Sequence, residues 1–392
     1  MVPLFLLIVL LMEVLINMSK KLRFGAMWLP GFHRDLHNDL WWGDNFTEWD
    51  NVRAATPLYD GHIQPVVPED GYGLIDNEDE VIRQFQQASE YGISVIGCYH
   101  YWFEGERLLE VPESMILEQD ILPTELFLFW ANHSWSKAWT NSSGDPDVLI
   151  SQEYTISGAK SHAQYVSKMI SKSFYYKSGE KPVFFIYDGV DLYRKCPSYL
   201  EVFRTFVKEE TGCDLEIVVT VRSEVELKII EKMPVFYDGL FLFEPSFTLS
   251  TLKDSNWLES IFQKLPISLQ SIVTKVYRAA NTSFKLYSYD AISTLDKLAT
   301  PSACDAKIIR SVCCGFDNTP RYGKRARIFK EFSPSKFAYK LRQLASFASS
   351  NDSDFILINA LNEWGEGMHL QPCKTYGHLK LKAVKEVHDE FN

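Results

Sequence analysis

Residues 354–359 have the sequence Asp-Phe-Ile-Leu-Ile-Asn, an apolar run followed at once by Ala-Leu-Asn-Glu-Trp-Gly-Glu-Gly at 360–367. A short, nearly continuous apolar run is typical of a strand that is buried on both faces, as in a parallel sheet. Seven similar runs occur earlier in the chain, at 23–29, 94–101, 126–132, 183–187, 217–221, 239–243 and 307–313. Stretches with helical spacing lie between them, at 78–91, 161–176, 198–211, 224–232 and 334–349, and a last one follows at 379–391. The chain is therefore predicted to alternate eight parallel strands with helices.

Eight strands, most of them followed by a helix, favour an α/β fold of the closed (β/α)8 TIM-barrel type. A doubly wound sheet is the alternative, but no glycine-rich phosphate loop follows the first run. Two connections, 30–77 and 244–307, are too long for plain loops, and the second has helical spacing near 252–264 and 267–280. We therefore predict a barrel with long insertions after strands 1 and 6, formed by residues 18–392 as one catalytic domain.

The composition argues against nucleic acid as a partner and is compatible with a sugar ligand. The 392 residues include 40 Lys and Arg against 51 Asp and Glu, and the net charge of −11 argues against a nucleic-acid partner. The 26 Phe, 19 Tyr and 10 Trp are more than an ordinary core requires, and aromatic faces are surfaces on which sugar rings stack. The seven cysteines are odd in number and lack metal-ligand spacing, so we predict reduced thiols, no metal site and no cofactor.

Residues 1–17 form an apolar extension with two open interpretations. The run is interrupted by Glu13 and is shorter than the roughly 20 residues that a spanning helix needs. Its positive charges follow the apolar run, and no small-residue cleavage site is present, unlike a signal peptide. Either translation begins at Met18, or the extension touches a membrane while the main body stays cytoplasmic. We predict a cytoplasmic protein whose only membrane contact would be made by 1–17.

The strongest chemical signal follows the eighth strand. Active sites of (β/α)8 barrels are built from the loops at the carboxyl ends of the strands. Glu363 and Glu366 lie three residues apart in such a loop, and Gly365 and Gly367 allow a close approach of backbone to ligand. One protonated and one ionised carboxyl group are the minimal equipment for cleaving a glycosidic bond. We therefore predict that Glu363 and Glu366 are catalytic.

The other strand ends carry aromatic, amide and carboxyl side chains and few Lys or Arg, which suits a neutral polyhydroxylated ligand. The residues predicted to bind substrate are Glu48, Trp49, His100, Tyr101, Trp102, Trp130, Asn132, Trp135, Asp317, Asn362 and Trp364. A packing role is the open alternative for Glu48, Asn132 and Trp135. A lone histidine such as His100 is more often a core or loop residue, and Asp317 could be a turn residue.

Seven short motifs together carry a family resemblance. They are Trp-Leu-Pro-Gly-Phe-His at 28–33, Trp-Trp-Gly at 41–43, Phe-Thr-Glu-Trp at 46–49, Gly-His-Ile-Gln-Pro at 61–65, Tyr-His-Tyr-Trp-Phe at 99–103, Trp-Ala-Asn at 130–132 and Asn-Glu-Trp-Gly-Glu-Gly at 362–367. In this order, from about residue 23 to the end, the chain resembles the WbsX-like family, whose members look like glycoside hydrolase family 99. The resemblance implies a (β/α)8 barrel acting on an oligosaccharide or polysaccharide. WbsX-like proteins are associated with O-antigen and capsule gene clusters and are often labelled glycosyltransferases.

Family 99 enzymes are retaining endo-α-mannosidases, and the resemblance implies roles for both glutamates. Glu363 matches the general base that acts on the 2-hydroxyl of the sugar, which attacks the anomeric carbon to give a 1,2-anhydro intermediate. Glu366 matches the acid that protonates the leaving oxygen and then activates water. The hydrolases carry a His between these acids, where this chain has Trp364-Gly365. Two alternatives remain, a nucleotide-sugar-dependent glycosyltransferase of surface polysaccharide biosynthesis and a non-catalytic glycan-binding protein.

Overall fold

The computed structural model describes residues 21–136, 148–234, 236–252, 269, 283–291, 307–351 and 353–392. The extension at 1–17 lies outside these ranges. The two extra helices predicted near 252–264 and 267–280 also lie outside them, apart from Leu252 and Leu269. Among the described residues, no helix combines the length and the apolar character needed to cross a membrane.

Eight parallel strands close into a barrel, which confirms the predicted TIM-barrel fold. They are β1 (Arg23–Trp28), β2 (Ile93–His100), β3 (Glu125–Trp130), β4 (Lys181–Ile186), β5 (Glu216–Val221), β6 (Gly239–Leu242), β7 (Lys307–Cys313) and β8 (Phe355–Asn359). Each strand pairs in parallel with the next one along the chain, and β8 pairs with β1 to close the ring. All eight lie where apolar runs predict them, within two residues at either end.

Stacked aromatic rings fill much of the barrel interior. Phe127 and Phe129 on β3, Phe185 on β4 and Phe241 on β6 are all fully buried. The ring centroids of Phe127 and Phe185 are 4.2 Å apart, and those of Phe129 and Phe241 are 6.2 Å apart in an edge-to-face arrangement. Burying each such side chain contributes about 1.5–3 kcal/mol, so these rings help hold the strand ends in fixed positions.

Helices cover the outside of the barrel and form part of its long connections. They are α1 (Leu36–Trp42), α2 (Glu48–Ala54), α3 (Glu78–Glu90), α4 (Val111–Glu118), α5 (Ile156–Ile170), α6 (Gly189–Lys195), α7 (Tyr199–Thr211), α8 (Glu224–Ile230), α9 (Ser246–Thr251), α10 (Thr319–Tyr322), α11 (Pro334–Ser350) and α12 (Leu379–Phe391). Helix α3 begins where predicted, because the Asn77 side chain accepts a hydrogen bond from the Glu80 amide, and Gly92 follows its end at φ 86°.

Short strand pairs and single helical turns occupy the loops. The pairs are Trp102–Phe103 with Glu106–Arg107, Trp135–Ser136 with Val148–Ile150, Lys177–Ser178 with β4, Lys285–Ser288 with Arg327–Lys330, and Asn362–Glu363 with Met368–His369, and the 3-10 turns are Gly323–Arg325 and Trp364–Glu366. The connection after β1 contains both α1 and α2. This predicted insertion thus returns to the mouth of the barrel and brings Glu48 there.

One predicted helix is displaced along the chain. Helical spacing predicts 161–176, whereas α5 begins at Ile156 and ends at Ile170. Thr155 starts the helix early, because its hydroxyl oxygen accepts a hydrogen bond from the Gly158 amide. Tyr176 then leaves the helix and donates its amide hydrogen to the Leu126 carbonyl oxygen over 2.8 Å. The residues after α5 therefore pair with β3 and β4 instead of continuing the helix.

Candidate active site

Three glutamates and one arginine meet at the carboxyl end of the barrel. Glu48 is the first residue of α2, after β1, and the capping box of Thr47 and Asp50 fixes the start of that helix. Glu363 and Glu366 follow β8 in a tight 3-10 turn. Arg321 belongs to α10, which follows β7. Loops after three neighbouring strands thus supply the cluster, in the position where (β/α)8 barrels carry their active sites.

The guanidinium of Arg321 lies against all three carboxylates. Its Nε is 2.7 Å from Oε1 of Glu48, its Nη2 is 3.0 Å from Oε1 of Glu363, and its Nη1 is 3.0 Å from Oε1 of Glu366. The side chains of Arg321 and Glu363 are 10% and 8% exposed, whereas that of Glu366 is 27% exposed. One fixed cation therefore holds both predicted catalytic carboxylates, and Glu366 is the more accessible of the two.

Electrostatics distinguish Glu363 from an ordinary surface glutamate. Burial raises the pKa of Glu363 to about 8, and the nearby charges of Glu366 and Glu48 act in the same direction, while Arg321 opposes them. Burial alone would lower the pKa of Arg321, but the three carboxylates together raise it well above its ordinary value. Glu363 therefore holds its proton to a higher pH than an ordinary glutamate does, beside an arginine that stays charged.

Glycine at position 365 leaves room for the arginine. A Cβ at Gly365 would contact Oε1 of Glu48 and would lie 2.9 Å from Nε of Arg321. Gly367 is at φ 68°, and the Glu366 carbonyl beside it accepts a hydrogen bond of 2.8 Å from the Asp317 amide. The two glycines thus allow a turn that presents both glutamates to one guanidinium.

Changing Gly365 to Ala is expected to separate this cluster. The added methyl group has to displace Glu48 or Arg321, so we expect about 1–3 kcal/mol of lost stability, the usual cost of overpacking, and a fall in activity of about tenfold or more. Urea unfolding and a turnover assay measure the two effects. Gly73→Ala is the matched control, because a Cβ there meets nothing within 4 Å. Equal behaviour of both variants would contradict the packing argument.

Packing behind the turn fixes its position. The Asn362 side chain bridges the Leu29 backbone, accepting from its amide over 2.7 Å and donating to its carbonyl oxygen over 2.8 Å. Trp364 stacks on His369 with ring centroids 3.8 Å apart, and its indole nitrogen donates to the Gln371 side chain. Asn362 and Trp364, both predicted to bind substrate, thus hold the turn that carries Glu363 and Glu366.

Tyrosines and a second arginine form the neighbouring wall. Burial raises the pKa values of Tyr99 and Tyr101 well above the ordinary range, and the charge of Glu363 adds to the effect because it lies nearby. The Arg222 guanidinium lies 4.7 Å from the ring centre of Tyr187 and 2.9 Å from Oδ2 of Asp188. The cluster is therefore flanked by phenol groups and by an arginine that a carboxylate already neutralises.

Several predicted binding residues lie in the packing between barrel and helices. Nδ1 of His100 is 2.8 Å from Oε2 of Glu113, and Nε2 of His100 is 3.0 Å from Nε2 of His162 on α5. Trp102 stacks on His162 at 4.9 Å, and the Trp130 indole donates to the Trp102 carbonyl oxygen. The structure places His100, Trp102 and Trp130 behind the wall, apart from the glutamate cluster.

Three more predicted residues hold loops around the site. The fully buried Asn132 side chain donates to the Tyr154 hydroxyl and to the Asp188 carbonyl oxygen. Asp317 accepts hydrogen bonds from Gln64 and Thr319 and lies 2.7 Å from Nε2 of His62. Trp49 is buried, with its indole nitrogen bonded to the Gly73 carbonyl oxygen. Tyr101 and Trp135, by contrast, line a cavity beside Glu48.

Arg321 is the residue that sequence reasoning missed. Arg321 ends the stretch Asp-Asn-Thr-Pro-Arg at 317–321, which follows the seventh strand. In that stretch only Asp317 is predicted from the sequence as a binding residue. The available signal was a lone arginine at a strand end facing predicted carboxylates. Within the described ranges, no group of three or more His, Cys, Asp or Glu side chains is arranged to hold a metal ion.

A closed parallel barrel with carboxylates at its mouth places this chain among the TIM-barrel proteins built like glycoside hydrolases. The structure is similar to that of the GH99 endo-alpha-mannosidase from Bacteroides thetaiotaomicron, with a TM-score of 0.54, 14% identity, and 94% of this chain and 97% of that chain covered. It is also similar to a structure described as a glycoside hydrolase-like protein, with a TM-score of 0.55, 14% identity and 95% of each chain covered. At such identities the likeness concerns the fold.

The sequence identifies the family. Residues 24–384 match the family described as Glycosyltransferase WbsX, and the chain belongs to that family. A curated relative is the uncharacterized protein WxcX of Xanthomonas campestris pv. campestris strain B100, 26% identical over 373 residues, or 92% of this chain. The chain spans about half the length, 49%, of that relative. The predicted family and its structural likeness to family 99 are both confirmed.

Proposed function

We propose that this chain cleaves or transfers a glycosidic bond in an oligosaccharide or polysaccharide, with Glu363 and Glu366 as the catalytic pair. The observation that carries the proposal is the arrangement of the two carboxylates around Arg321 at the barrel mouth. Glu363 is buried, which raises its pKa, and Glu366 is the more exposed of the two. One buried and one accessible carboxyl group provide the two protonation states that the chemistry needs.

The proposed reaction requires one shared proton on the pair. In the free protein this proton lies on Glu363. In the reactive form it lies on Glu366, and Glu363 is ionised. Glu363 takes the proton of the 2-hydroxyl, and that oxygen bonds to the anomeric carbon. The bond to the leaving oxygen breaks, and Glu366 protonates that oxygen. A base whose conjugate acid has a raised pKa is stronger than an ordinary carboxylate, which favours this step.

The second half of the reaction decides the outcome. Glu366, now ionised, takes a proton from an incoming water molecule or sugar hydroxyl, whose oxygen bonds to the anomeric carbon. The anhydro ring opens at that carbon, and Glu363 returns its proton to the 2-oxygen. Water as the incoming group gives hydrolysis, and a sugar hydroxyl gives transfer. Neither carboxylate bonds to carbon, so the separation of about 5–5.5 Å in ordinary retaining enzymes is not required.

A pH profile tests the shared proton. The pair is active while it holds one proton, and Glu363 keeps that proton up to a pKa of about 8. We therefore expect kcat/KM to fall above about pH 8, by about tenfold per pH unit. Glu244→Gln is the control and should leave the pH profile unchanged. Burial also raises the pKa of Glu244, to about 7, but its carboxylate accepts a hydrogen bond from the Thr248 hydroxyl. Activity that is constant well above pH 8 would contradict this assignment.

The substrate proposal follows the relatives. The similar solved structure is an endo-alpha-mannosidase, so α-mannosides are the first substrates to test. The proposed setting is O-antigen or capsule metabolism in the cytoplasm.

The family description favours a second candidate, a transferase that uses a nucleotide-sugar. The discriminating experiment is the mass of oligosaccharides, α-mannosides included, after incubation with the protein, with and without nucleotide-sugars. Loss of mass without a donor supports the glutamate chemistry. Gain of mass only with a donor would favour the second candidate.

A further inference from the structure

A small cavity opens beside the glutamate cluster. Glu48 and Arg321 form one side of it, and Gly31, Tyr101 and Trp135 lie around it. Its volume is about 40 Å³, which is room for about three water-sized groups. A space of this size suits a small substituent on a ligand that is bound in the active site.

The walls of this cavity are mainly apolar. The side chains that give it this character are Leu29, Trp42, Phe46, Leu109 and Trp135. Such a surface favours a methyl group over a hydroxyl group, because an unpaired hydroxyl loses its hydrogen bonds to water there. The substituent that fits best thus ends in a methyl group.

Two amide side chains in the cavity wall favour a substituent that also has a polar group. Asn38 on α1 and Asn51 on α2 both line the cavity, and Asn38 is 7% exposed. Among the described residues, none forms a hydrogen bond with the Asn38 side-chain amide, although its backbone amide is bonded to Asp35. The atoms of this amide are not fully enclosed, so water can reach them where the cavity is open. A ligand carbonyl group that enters the cavity would replace this water as a hydrogen-bond partner.

We propose that this cavity binds the acetyl group of an acetylated sugar in the substrate. The acetyl carbonyl oxygen accepts from the Asn38 amide, and the methyl group packs against Trp42 and Phe46. In an N-acetyl group the N–H also donates to the Glu48 carboxylate, a contact that an O-acetyl ester lacks. This inference rests on the proposed function. Since that reaction uses a free 2-hydroxyl, the acetyl group belongs to another position or to the neighbouring sugar.

Binding measured without turnover tests this proposal. The wild-type protein is titrated with N-acetylglucosamine, N-acetylmannosamine, 6-O-acetylglucose, the parent hexoses and 6-deoxyhexoses. Saturation-transfer NMR reads out contact with the acetyl methyl group. We expect the acetylated sugars to bind about tenfold more tightly than the hexoses. Tighter binding of the amide than of the ester supports the Glu48 contact, and equal binding supports recognition of the carbonyl and methyl alone.

Two variants and a control localise the effect. Asn38→Leu removes the amide at similar size, and Gly31→Ala adds a methyl group 3.3 Å from Cδ1 of Leu109, which narrows the cavity. Each is expected to reduce the preference to about twofold or less, while the exposed Gly73→Ala leaves it unchanged. Equal binding of hexoses, a preference retained in both variants, or a preference for 6-deoxyhexoses instead would overturn the proposal. Cleavage of sugars without any acetyl preference would refute the acetyl site and leave the proposed function standing.

Discussion

Glu363→Gln and Glu366→Gln are each expected to lower turnover by about a thousandfold while the protein stays folded. Glutamine keeps the size and shape of each side chain but can neither take nor give the proton, and positioned acid–base groups contribute about 10²–10⁴-fold. Arg321 loses one of its three carboxyl partners in either variant and keeps two. The measurement is turnover of the cleaved oligosaccharide, with circular dichroism and thermal unfolding to confirm the fold.

The matched control is Glu210→Gln, a change at an exposed position of α7. It removes one carboxylate of the same type and should leave turnover unchanged. Full activity in either site variant would exclude that glutamate from the chemistry. Loss of folding in Glu363→Gln would leave Glu366→Gln, at the more exposed position, as the decisive variant.

Arg321→Met is expected to have the second large effect, on both stability and activity. It leaves Glu48, Glu363 and Glu366 together without their cation, and removal of one partner of a buried ion pair costs about 3–5 kcal/mol. We expect a loss of that size near pH 8 and an activity loss of about a hundredfold, measured by urea unfolding and by turnover.

The effect of Arg321→Met on stability and activity should depend on pH in a defined direction. The fold raises the pKa of Glu363 from its ordinary value of 4.5 to about 8, so its stability contribution is complete at acid pH and decreases as pH rises through about 8. Without Arg321, which opposes that shift, the decrease becomes larger and the alkaline limb of the activity profile moves to higher pH. Arg342→Met is the control, because its side chain is 35% exposed and its ion pairs with Glu386 and Glu390 contribute little. Equal destabilisation by the two arginine variants would contradict the account.

The barrel was predictable because its signal is local. Each strand is a short apolar run, so β8 could be located from 354–359 alone, and the turn after it could be placed at the active end. Helix ends were less predictable. The end of α5 depends on Tyr176 bonding to Leu126, fifty positions earlier, and a helical spacing does not show such a contact.

Alternation along a strand explains which aromatic residues were misplaced. Successive side chains point to opposite faces, so Tyr99 and Tyr101 lie near Glu363 while His100 and Trp102 pack outward on His162. The prediction included His100, Tyr101 and Trp102, and so mixed residues from both faces. If Tyr101 is taken to face the site, alternation along the strand assigns Tyr99 to the same face. It assigns His100 and Trp102 to the opposite face, from the sequence alone.

The contacts of Arg321 and Asn362 could not have been predicted in this way. Arg321 reaches Glu48 across 273 positions, and Asn362 bridges Leu29 across 333 positions. Such pairings depend on how the closed barrel brings its loops together. The sequence therefore revealed the two glutamates but not the cation that organises them.

The most direct test of the central claim is cleavage in water enriched in heavy oxygen, without any nucleotide-sugar. The products of an α-mannoside oligosaccharide are analysed by mass spectrometry for wild type and Glu366→Gln. The account predicts shorter products that carry one heavy oxygen at each new reducing end in the wild type, and almost none from the variant. An unchanged oligosaccharide that gains mass only when a nucleotide-sugar is added would contradict it.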